Sequence, residues 1–390
     1  MTAQPTPLTH DDAVLDEIPS PAYVLEERLL RRNLKRLAHV REQAGIQIIL
    51  ALKGFAMWRA FPLVRQYLDG ATASSLNEAR LCYEEMGSKA HTYAPVYTAH
   101  EMEQIAALSS HITFNSLTEL ERHYPVIQRV APEVSCGLRV NPEYSTVTTE
   151  LYNPCATGSR LGVTADDLAG GLPKGVEGLH FHALCESSSV DLEQTLASFE
   201  RLFGHLLPQL RWVNMGGGHL ITGSDYDPEH LIQLLRDFKR RHGVEVILEP
   251  GSAVAWQTGF LKATVCDILT NKGVRTAMLD ISFTAHLPDT LEMPYRPRIR
   301  GASEQPTEEY HAYRLGGLSC LAGDYLESYY FPEPLSVGDS LIFEDMIHYT
   351  MVKTTMFNGV AHPSIAILQE SGELEVVRSF TYDDFKRRLS

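Results

Sequence analysis

The sequence predicts an α/β chain: a (β/α)8 TIM-type barrel joined to a second, mainly β domain. Three observations carry this. Eight short apolar runs between about residues 47 and 249 alternate with helical patterns. After about residue 258 the helical patterns nearly vanish and strand-like runs follow one another. The chain has 390 residues, of which 44% are hydrophobic, enough for one large domain and one smaller one.

The first clear helix is "EERLLRRNLKRLAHVREQAG". Its Leu30, Leu34, Leu37 and Val40 fall on one face, and Gly45 follows as a C-terminal cap. The first strand runs from Gln47 to Leu52. Further strands are expected at "GATAS", "AHTYA", "HITF", "EVSCGLRV", "VEGLHFHA", "RWVNM" and "VEVILE". Helices are expected between most of them, including Asp191 to His205. Another has Asp227 as N-cap and Pro228 at its first position, then "EHLIQLLRDFKRR". Eight βα units are the arithmetic of a TIM barrel. A doubly wound sheet alternates in the same way, and the count alone does not separate the two.

Beyond residue 258, "GFLKATVCDILTN", "VRTAMLDIS", "EEYHAYRLGG", "DSLIFEDM", "SIAILQ" and "ELEVVRSF" read as strands. The extended "SPAYVLEE" near the N-terminus is expected to join them. The expected domains are therefore 26–258 for the barrel and 1–25 with 259–390 for the β domain.

Composition removes several classes of function. No apolar run approaches the roughly 18 residues that a membrane span needs. "MTAQPTPLTHDD" lacks the basic and apolar halves of a signal peptide, and the six cysteines have no paired spacing; both point to a reducing cytoplasm. A net charge of −15, from 34 basic and 49 acidic residues, argues against nucleic-acid binding and favours cationic partners.

Four stretches can carry chemistry. "QIILALKGF" delivers Lys53 at the end of an apolar strand. Such an amine is either a lysine snorkelling at a strand end or a nucleophile poised for Schiff-base chemistry. "GLHFHALC" sets His180 and His182 two apart, facing the same way on a strand. They suit a metal, a stack on an aromatic cofactor, or a satisfied core. "NMGGGHL" places Gly216, Gly217 and Gly218 after a strand, as a phosphate nest or a plain tight turn. "ILEPGSA" ends the eighth strand with Glu249, whose carboxylate is costly in a barrel mouth unless it meets a cation such as a protonated pyridine nitrogen. A zinc site on the histidines lacks a third ligand at suitable spacing, so no metal is expected.

Taken in order, these stretches resemble the fold-type III pyridoxal-phosphate decarboxylases, which include ornithine, arginine and diaminopimelate decarboxylases and share their barrel with alanine racemase. The shared order is a lysine ending the first barrel strand, Phe-His, Gly-Gly-Gly, Glu-Pro-Gly, a cysteine stretch, then Tyr-Thr and Phe-Asn-Gly. Within the group, "ALKGFAMW", "SFTAHLPDTLEMPYRP" and "GGLSCLAGDYL" are similar to the carboxynorspermidine/carboxyspermidine decarboxylases. The resemblance implies decarboxylation of a cationic carboxypolyamine to spermidine or norspermidine, with pyridoxal 5'-phosphate as cofactor.

It also implies roles. Lys53 would hold the cofactor and His182 would stack on its ring. Glu249 would pair with the ring nitrogen, and Arg139 would sit near the phenolic oxygen. Gly217, Gly218, Gly251 and Tyr349 would hold the phosphate. Cys320 would return a proton to the α-carbon, reaching the site from a partner subunit, so a homodimer with shared active sites is implied. Asp280, Asp289, Glu292 and Asp324 are the candidates for the substrate's distal ammonium groups, Asp280 and Asp324 foremost. Two departures stand out. Ser252 follows Glu-Pro-Gly where relatives carry an arginine, and Leu321 follows the cysteine where ornithine decarboxylases carry an aspartate. The rival readings are a decarboxylase of a simpler basic amino acid, a racemase, and a non-catalytic cofactor- or polyamine-binding protein.

Overall fold

A computed structural model describes residues 12–147, 153–292 and 295–390. The chain divides into two compact units: Arg31–Val254, and the described residues up to Leu30 together with Ala255–Ser390.

The first unit is a ring of eight parallel strands. Its first strand is in two pieces, Gln47–Ile48 and Leu50–Ala51, interrupted at Ile49. The others are Ala71–Ala73, Ala90–Tyr93, Ser109–Phe114, Ser135–Arg139, Val176–His180, Trp212–Asn214 and Glu245–Leu248. Each pairs in parallel with its neighbours, and the first strand closes the ring. Its Leu50 registers with Ala71 of the second strand, while Gln47 and Ile48 register with Ile247 and Leu248 of the eighth. Closure distinguishes the barrel from a doubly wound sheet, and all eight expected strands are present.

The principal helices form for local reasons. Glu27–Ala44 buries Leu30, Leu34, Leu37 and Val40 completely and ends at Gly45 with φ +64°. In Ser189–Phe203 a capping box joins Ser188 and Asp191, satisfying donors that the first turn leaves free. Asp227 caps Pro228–His242 by accepting the His230 N–H, and Gly243 ends it in the left-handed region.

Inside the barrel, the Trp212 indole lies across Gly178 and Gly137 on the two preceding strands, and its Nε1–H donates to Ser135 Oγ at 2.8 Å. A Cβ at Gly178 would stand 2.0 Å from the indole, and one at Gly137 2.3 Å. Overpacking of this kind costs typically about 1–3 kcal/mol. Gly178→Ala is therefore expected to lower unfolding free energy by at least about 2 kcal/mol, read from the denaturant midpoint at unchanged m-value.

The second unit is built on an eight-stranded sheet. Ala22–Glu26 runs antiparallel to Gly259–Asn271 and parallel to Ser364–Leu368, so the N-terminal strand joins the sheet. Gly259–Asn271 also pairs with Val274–Leu279 and Ser340–Glu344. His311–Gly316 and Tyr325–Phe331 extend one side, and Leu374–Arg378 the other. Outside the sequence expectation lie the strand Tyr325–Phe331, whose Glu327 breaks its apolar run, and short helices including Asp12–Glu17, Phe283–His286, Asp289–Glu292 and Tyr382–Leu389. No described helix is long and apolar enough to cross a membrane.

Candidate active site

The chemistry-bearing residues of the barrel gather at the C-terminal ends of its strands, the face where TIM barrels do their chemistry. Tyr93, Arg139, His180 and Asn214 are the last residues of the third, fifth, sixth and seventh strands. Lys53 stands two positions beyond the first strand, His182 two beyond the sixth, and Glu249 one beyond the eighth.

Lys53 is anchored by the strand before it. Ala51 N–H donates to the Pro250 carbonyl and Leu52 N–H to the Thr72 carbonyl, so both neighbouring strands fix its backbone. The glycine behind it has a packing reason. A Cβ at Gly54 would stand 2.8 Å from the Gly251 Cα, so only glycine lets the two loops meet. The Lys53 side chain is reached by water but ringed by protein. Desolvation by that surround lowers its pKa, with the nearby Arg139 charge as the second cause. A lowered pKa raises the fraction of neutral, nucleophilic amine.

His182 is held by its neighbours. Gly217 N–H donates to Nδ1 at 2.8 Å. A backbone N–H can only donate, so Nδ1 carries no proton and Nε2 holds it in the neutral ring. Burial drives the pKa of this ring well below the ordinary histidine value, with the Lys53 and Arg139 charges adding to it. A neutral, oriented imidazole presents a flat face for stacking. Arg139 is 5% exposed and donates from Nη1 to the Tyr93 hydroxyl at 2.8 Å and from Nη2 to the His182 carbonyl at 3.1 Å. The Tyr93 hydroxyl in turn donates to Asn115 Oδ1 at 2.9 Å.

Asn214 ties the seventh strand to the eighth. Its Nδ2 donates to Glu249 Oε1 at 2.7 Å while its Oδ1 accepts the Gly216 N–H at 2.9 Å. Burial raises the Glu249 pKa, and the hydrogen bonds from Asn214 and Thr72 and the Lys53 and Arg139 charges oppose it. His180 Nε2 lies 3.7 Å from Glu249 Oε2, and burial first, then Arg139 and Lys53, keeps that imidazole neutral.

The three glycines serve close packing. A Cβ at Gly217 would come within 2.4 Å of the Glu249 carbonyl oxygen, and at Gly218, with φ +87°, within 2.1 Å of the Leu184 carbonyl oxygen. Beside them lies a small recess lined by Gly218, His219 and Leu220, by Gly251, Ser252 and Ala253, and by Glu186. Gly218 and Gly251 line the recess, while the Gly217 N–H is given to His182.

The sheet unit holds the remaining expected residues. Cys320 is exposed, and its N–H donates to Asn358 Oδ1 at 2.8 Å. Tyr349 adopts φ +41° beside His348. The four expected acids have partners inside this unit. Asp324 is 4% exposed and accepts the Thr284 and Ser319 N–H groups at 3.0 and 2.9 Å. Asp280 accepts the Thr264 N–H and the Ser20 hydroxyl, both at 2.7 Å. Asp289 and Glu292 pair with the Lys353 ammonium. The foremost two, Asp280 and Asp324, therefore organise the backbone: Asp324 shapes the loop that carries Cys320.

Tyr93, Asn115, Asn214 and His219 were not anticipated as site residues. Two of them, Tyr93 and Asn214, end barrel strands, and that position was the signal available for them.

An amine, a neutral imidazole, a buried carboxylate and a glycine-lined recess on one barrel rim define a site for an aldehyde cofactor bearing a ring nitrogen and a phosphate. The residues fit pyridoxal phosphate: the recess is walled by residues that only small side chains permit, and Glu249 is a buried acid in want of a cation.

Comparison with known proteins agrees. Residues 22–347 match the family described as pyridoxal-dependent decarboxylase, C-terminal sheet domain. The chain is 54% identical to a carboxyaminopropylagmatine decarboxylase from Synechocystis sp. over 96% of each chain. It is 45% identical to a carboxynorspermidine/carboxyspermidine decarboxylase from Campylobacter jejuni, over 96% of this chain and 99% of that one. The crystal structure of carboxynorspermidine decarboxylase from Campylobacter jejuni, complexed with norspermidine, superposes with a TM-score of 0.89 at 44% identity, covering 95% of this chain and 100% of that one. The chain belongs to the pyridoxal-phosphate-dependent decarboxylases of fold type III, so pyridoxal 5'-phosphate is its cofactor and carboxylate removal its reaction.

Proposed function

We propose that this enzyme decarboxylates a carboxypolyamine, converting carboxyspermidine or carboxynorspermidine to spermidine or norspermidine in polyamine biosynthesis. The observation that carries this reading is the agreement over nearly the whole chain with a carboxynorspermidine decarboxylase structure complexed with norspermidine. The net charge of −15 suits a polycationic substrate.

The cofactor, when bound, supplies an electron sink for the pair released as carbon dioxide leaves. The chain's residues do the rest. Lys53 would hold the cofactor through its amine. Glu249, held by Asn214, would pair with the ring nitrogen and favour its positive charge. His182, its proton on Nε2, would stack on the ring, and Arg139, held by Tyr93, would serve the phenolic oxygen. Tyr349 is assigned to the phosphate. The bond from the α-carbon to its carboxylate breaks, and a proton from Cys320 Sγ takes the vacated position. Cys320 comes from a second copy of the chain, which makes the working unit a homodimer in the cytoplasm. The distal cations of the substrate fall to Asp289 and Glu292, with Lys353 moving away from them.

A second reading of the substrate has its own support, since the Synechocystis relative at 54% identity is named for carboxyaminopropylagmatine. That substrate ends in a guanidinium, which favours a planar, two-pronged carboxylate contact, where the triamines end in an ammonium. Carbon dioxide release measured side by side on carboxyspermidine, carboxynorspermidine, carboxyaminopropylagmatine, diaminopimelate, ornithine and arginine separates the readings. The expected result is a kcat/KM on the two carboxytriamines at least roughly 100-fold above the simple amino acids, because a site built for a polar group rejects substrates that lack it. A higher value on carboxyaminopropylagmatine establishes the second reading. Turnover confined to a simple amino acid overturns both.

A further inference from the structure

We propose that His219 is a cofactor-binding residue whose imidazole donates to the phosphate in the recess between the seventh- and eighth-strand loops. The inference rests on the pyridoxal-phosphate assignment and goes beyond the residues given roles above.

Four observations converge on this ring. His219 is 1% exposed, yet neither Nδ1 nor Nε2 has a hydrogen-bond partner. Native interiors pair nearly all such groups, so a buried ring with two unpaired nitrogens calls for a ligand to satisfy it. The Met215 and Gly216 carbonyls lie close enough to favour its charged form without making a hydrogen bond of ordinary geometry. His219 itself lines the recess, beside Gly218 and across from Gly251 and Ser252.

Charge sharpens the argument. Among the residues lining the recess, His219 is the one that can carry a positive charge. Glu186 is among the lining residues, so a phosphate dianion there needs a compensating cation. Backbone N–H groups and the Ser252 hydroxyl offer only neutral donors. Burial holds the ring's pKa at about 4 in the free protein, so it is neutral until an anion arrives to favour the proton. The fixed backbone on either side supports the assignment. The Ser187 N–H donates to the Gly218 carbonyl at 2.8 Å and the Leu220 N–H to the Ser187 carbonyl at 3.1 Å, bracketing His219.

The test separates phosphate from the rest of the cofactor. Apoenzyme is titrated with pyridoxal phosphate and, separately, with pyridoxal, which keeps the ring and aldehyde but has no phosphate. His219→Ala is expected to weaken pyridoxal phosphate binding by roughly 10- to 100-fold, the range for a charge-assisted hydrogen bond, and to leave pyridoxal binding within about twofold. His219→Gln, which keeps a donor, is expected to recover most of the loss. If both ligands weaken equally in His219→Ala, the ring only supports the glycine loop and the proposal is overturned; unchanged pyridoxal phosphate affinity overturns it too. Should the alanine variant fail to fold, His219→Leu, which keeps much of the volume and has no donor, carries the same comparison against His219→Gln. Wild-type apoenzyme that gains no affinity from the phosphate overturns this proposal and the cofactor assignment together.

Discussion

Lys53→Ala is expected to reduce carbon dioxide release by roughly 1,000-fold or more, because it removes the group that positions the cofactor and the covalent route with it. The loss is expected in kcat at saturating cofactor, where a weaker affinity alone would be rescued. Borohydride treatment should fix cofactor to the wild-type chain and not to the variant, as read by mass spectrometry. Stability should move the other way. The Lys53 pKa is lowered in the folded protein, so between the folded value and the unfolded one, near 10.4, the unfolded chain binds more protons. The lysine therefore lowers stability at neutral pH and ceases to do so as the pH approaches the unfolded value. Apoenzyme carrying alanine should be at least as stable as wild type at pH 7, with the difference closing toward pH 10. A variant that lost activity by unfolding would show the opposite change in melting temperature.

Much of the fold and part of the site are legible in the sequence, and the boundary between legible and hidden has physical causes. The eight barrel strands are legible because parallel strands buried on both faces read as continuous apolar runs. Helix ends are legible where the cap chemistry is local, as at Asp227 and Gly45. Ring closure is not, since it depends on Gln47 meeting Ile247 across some 200 residues. Tyr325–Phe331 escapes because its alternation is interrupted by Glu327 and follows a loop rich in glycine. In the site, Lys53, His182 and Glu249 stand out as chemical groups where packing alone would not put them. Asn214 and Tyr93 do not, because their importance lies in the partners that folding brings to them, Glu249 and Arg139. Asp280 and Asp324 show the same cause in reverse. They look like free charges in the sequence, while in the fold backbone N–H groups occupy their oxygens. Gly217 shows that a glycine motif fixes where backbone fits, and leaves open what its N–H will meet.

Glu249→Gln is expected to lower kcat by roughly 100- to 1,000-fold with little change in fold, and it isolates charge from shape. Glutamine keeps the volume, and its carbonyl oxygen can still accept from Asn214 Nδ2, the 2.7 Å bond that now orients Oε1. What it cannot do is carry the negative charge that holds a proton on the cofactor's ring nitrogen. A close pair of unit charges gains roughly 4 kcal/mol at an effective dielectric of 20, and about 1.4 kcal/mol corresponds to tenfold, so the expected loss is two to three powers of ten. The apoenzyme offers an independent check. Burial raises the Glu249 pKa, so between its unfolded value, near 4.3, and its folded one the native state binds more protons than the unfolded chain. Stability from this group is therefore present at low pH and falls as pH rises through that interval. Glu249→Gln should remove this component, leaving the apoenzyme more stable than wild type above the interval and nearly equal below it, as urea titrations at several pH values would show. Added cofactor should reverse the order in the neutral range, since the ring cation then compensates the buried carboxylate of the wild type alone. If the variant binds cofactor with wild-type affinity and turns over at the wild-type rate, Glu249 is a structural acid and the ring nitrogen is held by something else.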